Sequence, residues 1–366
     1  MTVRYFFLMD KGNTEPSGLF REIREGGFRL EYFSADGRWV QDNGLGSYLF
    51  EGEPGVKEVS EGEAHDLLVR RGFDLNKQLT AWMSTGTHDI PTEVLVDTDW
   101  LDAHVDDPGV VVIEADENQD LFHKGHIRNA ISLDWEAELR ALPRRELISA
   151  SSLRELLERK GVSGTDLIVL YSDGGNAFAS YAYWVLKLRG IGNLRLLDGG
   201  RRKWELESRV LSQDVVERPA GSIPLTAESE NIRISRNEVL TRVGHKSTVF
   251  LDVRSRPEYD GELWAPVRFM QESAQVSGHI PNAINIPLSQ LVTEDGTFRS
   301  RQEIHDLVRS FIPSRLTEVI TYSSIGERSA LMWFVLSELL GFPNVRNYDG
   351  GWTEYGSLVG APVHRR

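Results

Sequence analysis

The chain contains no cysteine in its 366 residues. That absence excludes a thiol nucleophile, a disulfide framework and any thiolate-ligated metal in the sequence as it stands. It does not fix the compartment, because a cysteine-free chain suits either redox setting. Long apolar runs are also missing, and nothing approaches the roughly 20 residues that carry a helix across a bilayer. Met1 to Asp10 holds one early arginine and a brief apolar patch, too short for a secretory leader. The expected location is therefore the cytoplasm. A positive excess is lacking as well. The net charge of −14 argues against a general binder of nucleic acid or anionic membrane. It leaves room for a small anion in a local positive pocket. Histidines do not gather into a metal site either. His123 and His126 lie three apart, but Gly125 between them interrupts the helix that would aim both the same way. Neither metal nor cofactor is expected.

What is present centres on residues 319–336. Val319 to Tyr322 is a short apolar run rich in β-formers, which suits a buried strand. Ser323 to Arg328 is a polar break containing Gly326. From Ser329 onward Leu331, Phe334, Val335 and Leu339 recur at helical spacing. A tight strand–loop–helix turn gathers backbone N–H groups and aims a helix N-terminus at one point, so this loop predicts an anion cradle. Ser323 stands where such loops carry a nucleophile, and Arg328 adds a charge-assisted contact. Ser324, Ile325, Gly326 and Glu327 complete the loop as candidate binding residues. Glu327 either accepts loop N–H groups or trims the positive potential and disfavours doubly charged anions. The alternative is an ordinary strand-to-helix connection with a serine cap.

Taken in order, the chain divides into three. Residues 1–87 read as a small α+β module. Val3–Met9 and Phe28–Phe33 are strand patterns, the turn signal Ala35-Asp-Gly-Arg38 predicts a hairpin to Trp39 and Val40, and Ser60-Glu-Gly-Glu63 caps a helix from Ala64 to Arg71. Gly72 to Ile90 reads as a linker. Residues 93–212 and 231–364 repeat one pattern of alternating strands and helices, the signature of parallel α/β sheets flanked by helices. Strand Val110–Glu114 corresponds to Val249–Asp252, the element Gly125-His-Ile to Gly278-His-Ile, and strand Leu167–Tyr171 to Val319–Tyr322. Between the copies, residues 212–231 form a polar linker with Pro219 and Pro224. The loops after Tyr171 and Tyr322 occupy the same place in each copy, beyond the carboxyl ends of the strands, where such sheets bind ligands. Of the two loops only the second carries a cation. The first, with Asp173, reads as its degenerate counterpart. The duplicated histidines, His126 and His279, read as structural. Asp252 and Arg254, just past a strand end, either pair with each other or brace the loop, with bracing the favoured reading.

Tyr322-Ser-Ser-Ile-Gly-Glu-Arg-Ser329 resembles the active-site loop of the rhodaneses, the thiosulfate sulfurtransferases, where one branch reads Tyr-Cys-Arg-Ile-Gly-Glu-Arg-Ser. Asn344 to Gly356, Leu251-Asp-Val-Arg254 and Gly278 to Ile284 resemble three further landmarks of that family, in the same order. The resemblance runs from about Glu93 to Val363. It implies two tandem rhodanese-like domains, the first inactive, with the site in the second at the interface between them. It also implies an interdomain substrate-binding arginine, matched by Arg202. The departure falls at the decisive place: Ser323 matches the catalytic cysteine and Ser324 the arginine after it.

A rhodanese stores sulfane sulfur as a persulfide on its cysteine. Serine cannot, and its hydroxyl needs a base before it attacks anything. Three readings follow: another reaction on an anionic or carbonyl small molecule, a non-catalytic module that binds an anion or a partner, or a sulfurtransferase whose cysteine has been replaced. A base within reach of Ser323 would favour an enzyme. The N-terminal module is the candidate surface for a protein partner.

Overall fold

In the computed structural model, backbone alone is described for residues 2–8, 18–24, 28–33, 39–42 and 56–59, and the description continues over 94–365 apart from 142–145, 225–227, 267–269, 271 and 313–316. Five strands of the N-terminal region, β1 (Thr2–Leu8), β2 (Gly18–Arg24), β3 (Phe28–Phe33), β4 (Trp39–Asp42) and β5 (Val56–Val59), form one sheet in the order β4-β3-β2-β1-β5. Every pairing in it is antiparallel. Phe33 pairs with Trp39 and Tyr32 with Val40, the hairpin that the turn residues predict. The helix expected over 64–71 and the linker over 72–90 lie outside the described residues. This region forms a compact unit separate from Ile90–Phe311 and Leu316–Arg366.

The larger unit contains both copies of the repeat. The first runs β6 (Leu95–Val96), α1 (Thr98–His104), β7 (Val110–Glu114), α2 (Asp120–Lys124), β8 (Ile131–Ser132), a ribbon of β9 (Arg140–Ala141) and β10 (Glu146–Leu147), α3 (Ala150–Arg159), β11 (Leu167–Tyr171), α4 (Ala177–Leu188), β12 (Leu194–Leu197) and α5 (Gly200–Leu206). Its five-stranded sheet has the order β6-β12-β11-β7-β8, all parallel. The second copy runs α6 (Arg236–Arg242), β13 (Thr248–Asp252), α7 (Arg256–Asp260), β14 (Ile284–Asn285), α8 (Arg301–Val308), β15 (Glu318–Tyr322), α9 (Glu327–Phe334, continued by a π-helical turn, Val335–Leu339), β16 (Val345–Tyr348) and α10 (Gly351–Tyr355). Its parallel sheet, β14-β13-β15-β16, repeats four of those five positions. The fifth is reduced to one parallel bridge, Arg233 to Asn347. The central strands are continuous apolar runs because helices cover both faces of each sheet.

Side chains repeat with the backbone. Tyr171 and Tyr322 end the equivalent strands, and their hydroxyls accept the N–H of Ile127 and of Ile280. His126 stacks on Phe122 and His279 on Tyr259, and Nδ1 of each ring bonds the carbonyl of the residue it stacks on. Both imidazoles are buried and act as structural struts. The copies meet along α4 and α9. Apolar on nearly every face, α4 is buried at all but one of its twelve positions. Tyr183 on it meets Phe334 edge-on at 5.0 Å, while Lys187 and the Tyr183 hydroxyl both bind Glu338, at 2.7 and 3.0 Å. The loop ends of the two sheets are tied as well, by Asp198 accepting the Phe298 N–H at 2.8 Å.

Candidate active site

Strand β15 delivers Ser323 at its carboxyl end, and Gly326 turns the chain into α9 with φ of +98°. The Ser323 hydroxyl accepts the Gly326 N–H at 3.0 Å and donates to Glu327 Oε2 at 3.1 Å. The carbonyls of Ser323 and Ser324 are held from below by the first turn of α10, through the N–H groups of Trp352 at 2.7 Å and Thr353 at 3.1 Å. This close approach requires Gly351, where φ is +57° and a Cβ would lie 2.4 Å from the Ser324 carbonyl oxygen. Trp352 and Tyr355, both buried, pack beneath the loop.

The loop's cation is paired internally. Arg328 grips Glu258 with both terminal nitrogens, at 2.9 and 3.0 Å, and its Nε donates to Glu327 at 3.1 Å. Ser324 links the same groups, donating to Glu258 at 3.2 Å and accepting from Arg328 at 2.9 Å. Glu258 also accepts the N–H and hydroxyl of Ser255. Burial pushes its carboxyl up, but the hydrogen bonds and charge of Arg328, together with Ser255, outweigh that and hold it at about 2. Burial likewise works against the Arg328 cation, yet the charges of Glu327 and Glu258 raise its pKa. Two carboxylates thus face one guanidinium. The loop is a closed cluster with one carboxylate in excess rather than an open positive cradle, and Ser323 and Ile325 have no exposed surface at all.

The loop gathers Ser323, Ser324, Ile325, Gly326, Glu327 and Arg328 at one place. Two other candidates lie elsewhere. Arg202 is exposed on α5, and it is the neighbouring Arg201 that turns inward, to Glu114 at 2.5 Å. Asp252 is engaged by Arg254, at 2.6 to 3.2 Å, and not by the loop. The pair supports the loop at one remove, since the Arg254 guanidinium lies 4.8 Å over the ring of Trp352. Sequence reasoning missed two residues. Glu258 had a signal, the capping box Ser255-Arg-Pro-Glu258 at the start of α7, but that pattern is silent on Arg328. Arg140 had none. It reaches across from the first copy and donates to the Ile325 carbonyl at 3.1 Å.

The counterpart loop of the first copy is acidic. Glu114 pairs in register with Tyr171 as Asp252 does with Tyr322, so Asp116 stands where the second copy has Arg254. Burial, then the hydrogen bond and charge of Glu114, push the Asp116 carboxyl up to about 8. With Asp116 in place of an arginine, this end of the first sheet is poorly suited to an anion.

Duplicated parallel sheets, each with a loop at the carboxyl end of its third strand, define a tandem α/β protein with one elaborated loop. The profile of the rhodanese-like domain matches residues 97–207 and 235–358, and the chain belongs to that family, with serine at the position of the catalytic cysteine. It is 46% identical over 272 residues to a putative thiosulfate sulfurtransferase of Mycolicibacterium smegmatis, covering 74% of this chain and 98% of that one. It is 42% identical over 274 residues to the sulfur carrier protein TtuD of Thermus thermophilus, covering 74% and 96%. Among solved structures, the 3-mercaptopyruvate sulfotransferase SseA of Escherichia coli superimposes with a TM-score of 0.59 at 26% identity, over 72% of this chain and all of that one. An anaerobic ergothioneine biosynthesis enzyme of Chlorobium limicola, in complex with trimethyl histidine, shares the fold with a TM-score of 0.64 at 22% identity, over 75% of this chain and 70% of that one. Among the described residues no helix is long and apolar enough to cross a membrane.

Proposed function

We propose that this rhodanese-family chain has exchanged persulfide chemistry for a serine hydroxyl acting on a small anionic or carbonyl compound. One observation carries the reading: Ser323 Oγ lies 3.1 Å from Glu327 Oε2 and 3.0 Å from the Gly326 N–H. A nucleophile needs a base within hydrogen-bond reach and a third group that orients the base. Glu327 meets the first need, and Arg328, bonded to Glu327 at 3.1 Å, meets the second. The Gly326 N–H and the unpaired N–H groups at the start of α9 favour negative charge developing on the hydroxyl oxygen. A substrate reaches Ser323 only when the loop moves, because the hydroxyl is buried. The small-molecule ligands named for structural relatives accord with a small substrate here. The same closed loop also supports a second reading, a binding module without turnover. Under either reading we place the protein in the cytoplasm, with the N-terminal module as its surface for a protein partner.

The test uses p-nitrophenyl acetate as a carbonyl probe. Wild type is expected to hydrolyse it above the buffer rate, Ser323→Ala to fall to that rate, and Glu327→Gln to lose about 10²- to 10⁴-fold. Equal hydrolysis by all three proteins, or none by wild type, would remove the enzyme reading and leave the binding module.

A further inference from the structure

The two copies arrange their buried charge differently at the loop end of the sheet. In the second, Asp252 and Arg254 stand on one strand end and pair with each other. In the first, the arginine comes from α5. The turn Asp198-Gly-Gly-Arg201 matches Asp349-Gly-Gly-Trp352, so Arg201 stands where the second copy has Trp352. It binds Glu114 at 2.5 Å and Glu205 at 2.8 Å. That leaves Asp116, in the place of Arg254, among acids. Asp116 and Glu114 are each only 1% exposed. Asp116 Oδ1 accepts the Asp173 N–H at 2.7 Å, while Oδ2 is buried and meets no donor. The side chain that Asp116 hydrogen-bonds is Glu114. Two ionised carboxylates have no hydrogen to place between them, so this contact requires a proton on one of the two. Glu114 already accepts at both oxygens, from Arg201 at one and from the Tyr171 hydroxyl at the other. It is therefore the anion of the pair, and Asp116 Oδ2 is the atom left to carry the proton. The surroundings favour the same count. Burial and the charge of Glu114 hold the Tyr171 hydroxyl above its ordinary pKa, so it stays neutral. Arg201 is the cation that acts on Asp116. The other charged groups on the adjoining strand end, loop and helix are Glu117, Asp173 and Glu205, all acidic.

We propose that Asp116 and Glu114 share one proton at neutral pH, and that this proton is a switch holding the 172–176 loop of the first copy closed. While Asp116 is protonated, the pair carries one negative charge against the guanidinium of Arg201. Alkaline pH removes the proton and leaves two buried carboxylates facing one cation. They relieve the repulsion by moving apart, and the Asp173 N–H is released from Asp116 Oδ1. The loop this frees is joined to the rest of the protein at both ends. The Ser172 carbonyl accepts the Arg201 N–H at 3.1 Å, and Asn176 precedes α4, the helix that meets the second copy. The range follows from the direction of the shift. Burial and then Glu114 raise the Asp116 carboxyl from 3.8 to about 8. The stability contributed by its proton is therefore complete below pH 3.8 and is lost as pH rises through about 8. This inference concerns the first copy and is independent of any reaction at Ser323.

Hydrogen exchange of the full chain, read by mass spectrometry and corrected for the intrinsic rate at each pH, is the test. Between about pH 7 and 9, protection of residues 172–176 in wild type is expected to fall about tenfold, as the protonated fraction of Asp116 does. The matching segment 323–328, where Arg254 takes the place of Asp116, should keep its protection over the same interval. Asp116→Asn donates an amide hydrogen to Glu114 that does not titrate, so its 172–176 segment should stay protected up to about pH 9. Unfolding of wild type near pH 7 should also release about one proton more than unfolding of Asp116→Asn, read from how the denaturation midpoint of each protein changes with pH. If the asparagine variant does not fold, the contrast between the two loops of wild type decides. Constant protection of 172–176 in wild type, an equal fall in 323–328, a fall in Asp116→Asn as large as in wild type, or equal proton release by the two proteins would each overturn the proposal.

Discussion

The double variant Ser323→Cys, Ser324→Arg is expected to transfer sulfur from thiosulfate to cyanide at least about a thousandfold faster than the unaltered chain, a conservative figure beside the effect of removing a nucleophile elsewhere. The chemistry requires a thiolate that takes the outer sulfur, releases sulfite, and passes the sulfur on from the persulfide. A thiol at position 323 would sit where the Gly326 N–H already points at the side-chain atom, 3.0 Å away. That N–H and the N-terminus of α9 both lower a thiol pKa. Glu327, on the opposite side, works against them. The second substitution addresses charge. Ser324 now bridges Glu258 and Arg328, and a guanidinium at that position would share Glu258 and bring the cluster to neutrality. Ser323→Cys alone should therefore fall between the parent and the double variant. Equal turnover by single and double variants would show that Ser324 does not limit the chemistry.

Replacing Glu258 by glutamine should cost about 3–5 kcal/mol of folding stability, the usual effect of removing one partner of a buried ion pair. Five donors converge on this carboxylate: the N–H and hydroxyl of Ser255, the hydroxyl of Ser324, and both terminal nitrogens of Arg328. The amide leaves Arg328 with Glu327 as its only carboxylate partner among the described residues. The sign of the pH effect follows from the direction of the shift. Glu258 titrates at about 2 in the folded protein against an ordinary 4.5, so its contribution is complete above pH 4.5 and disappears as pH falls from there through 2. That contribution is about 3 kcal/mol, and chemical denaturation of wild type between pH 6 and about 3 should show the decline. Glu258→Gln should be less stable at pH 6 and show a flatter acid limb. A variant as stable as wild type at pH 6 would mean that Arg328 is satisfied without Glu258.

Much of the architecture is legible in the sequence because it is written locally. Val110–Glu114, Leu167–Tyr171 and Val319–Tyr322 are strands of parallel sheets, and their apolar runs say so without alternation. Duplication of the Gly-His-Ile element and of the turns Asp198-Gly-Gly200 and Asp349-Gly-Gly351 marks the two copies. The position of the loop follows from strand, break and helix in succession. What the sequence does not expose are the partners of its charges. Arg328 appears as a free cation beside Ser323, and only the fold brings Glu258, which starts a helix after a different strand, onto it. The same limit separates Arg202 from Arg140. Arg202 follows a turn that resembles a family landmark, whereas Arg140 sits on a two-residue strand of a short ribbon, with no periodicity to mark it. Closure of the loop is likewise a tertiary property. The α10 N–H groups that seize the Ser323 and Ser324 carbonyls lie more than a full helix and strand further along the chain.

The unaltered chain, which has no thiolate, is expected to hold no sulfane sulfur. The most direct test is the intact mass of the purified protein after exposure to excess thiosulfate, with Ser323→Cys treated in parallel. The mass of wild type should stay unchanged, and Ser323→Cys should gain one sulfur atom that cyanide removes. A cyanide-labile sulfur on the wild-type chain would contradict this expectation.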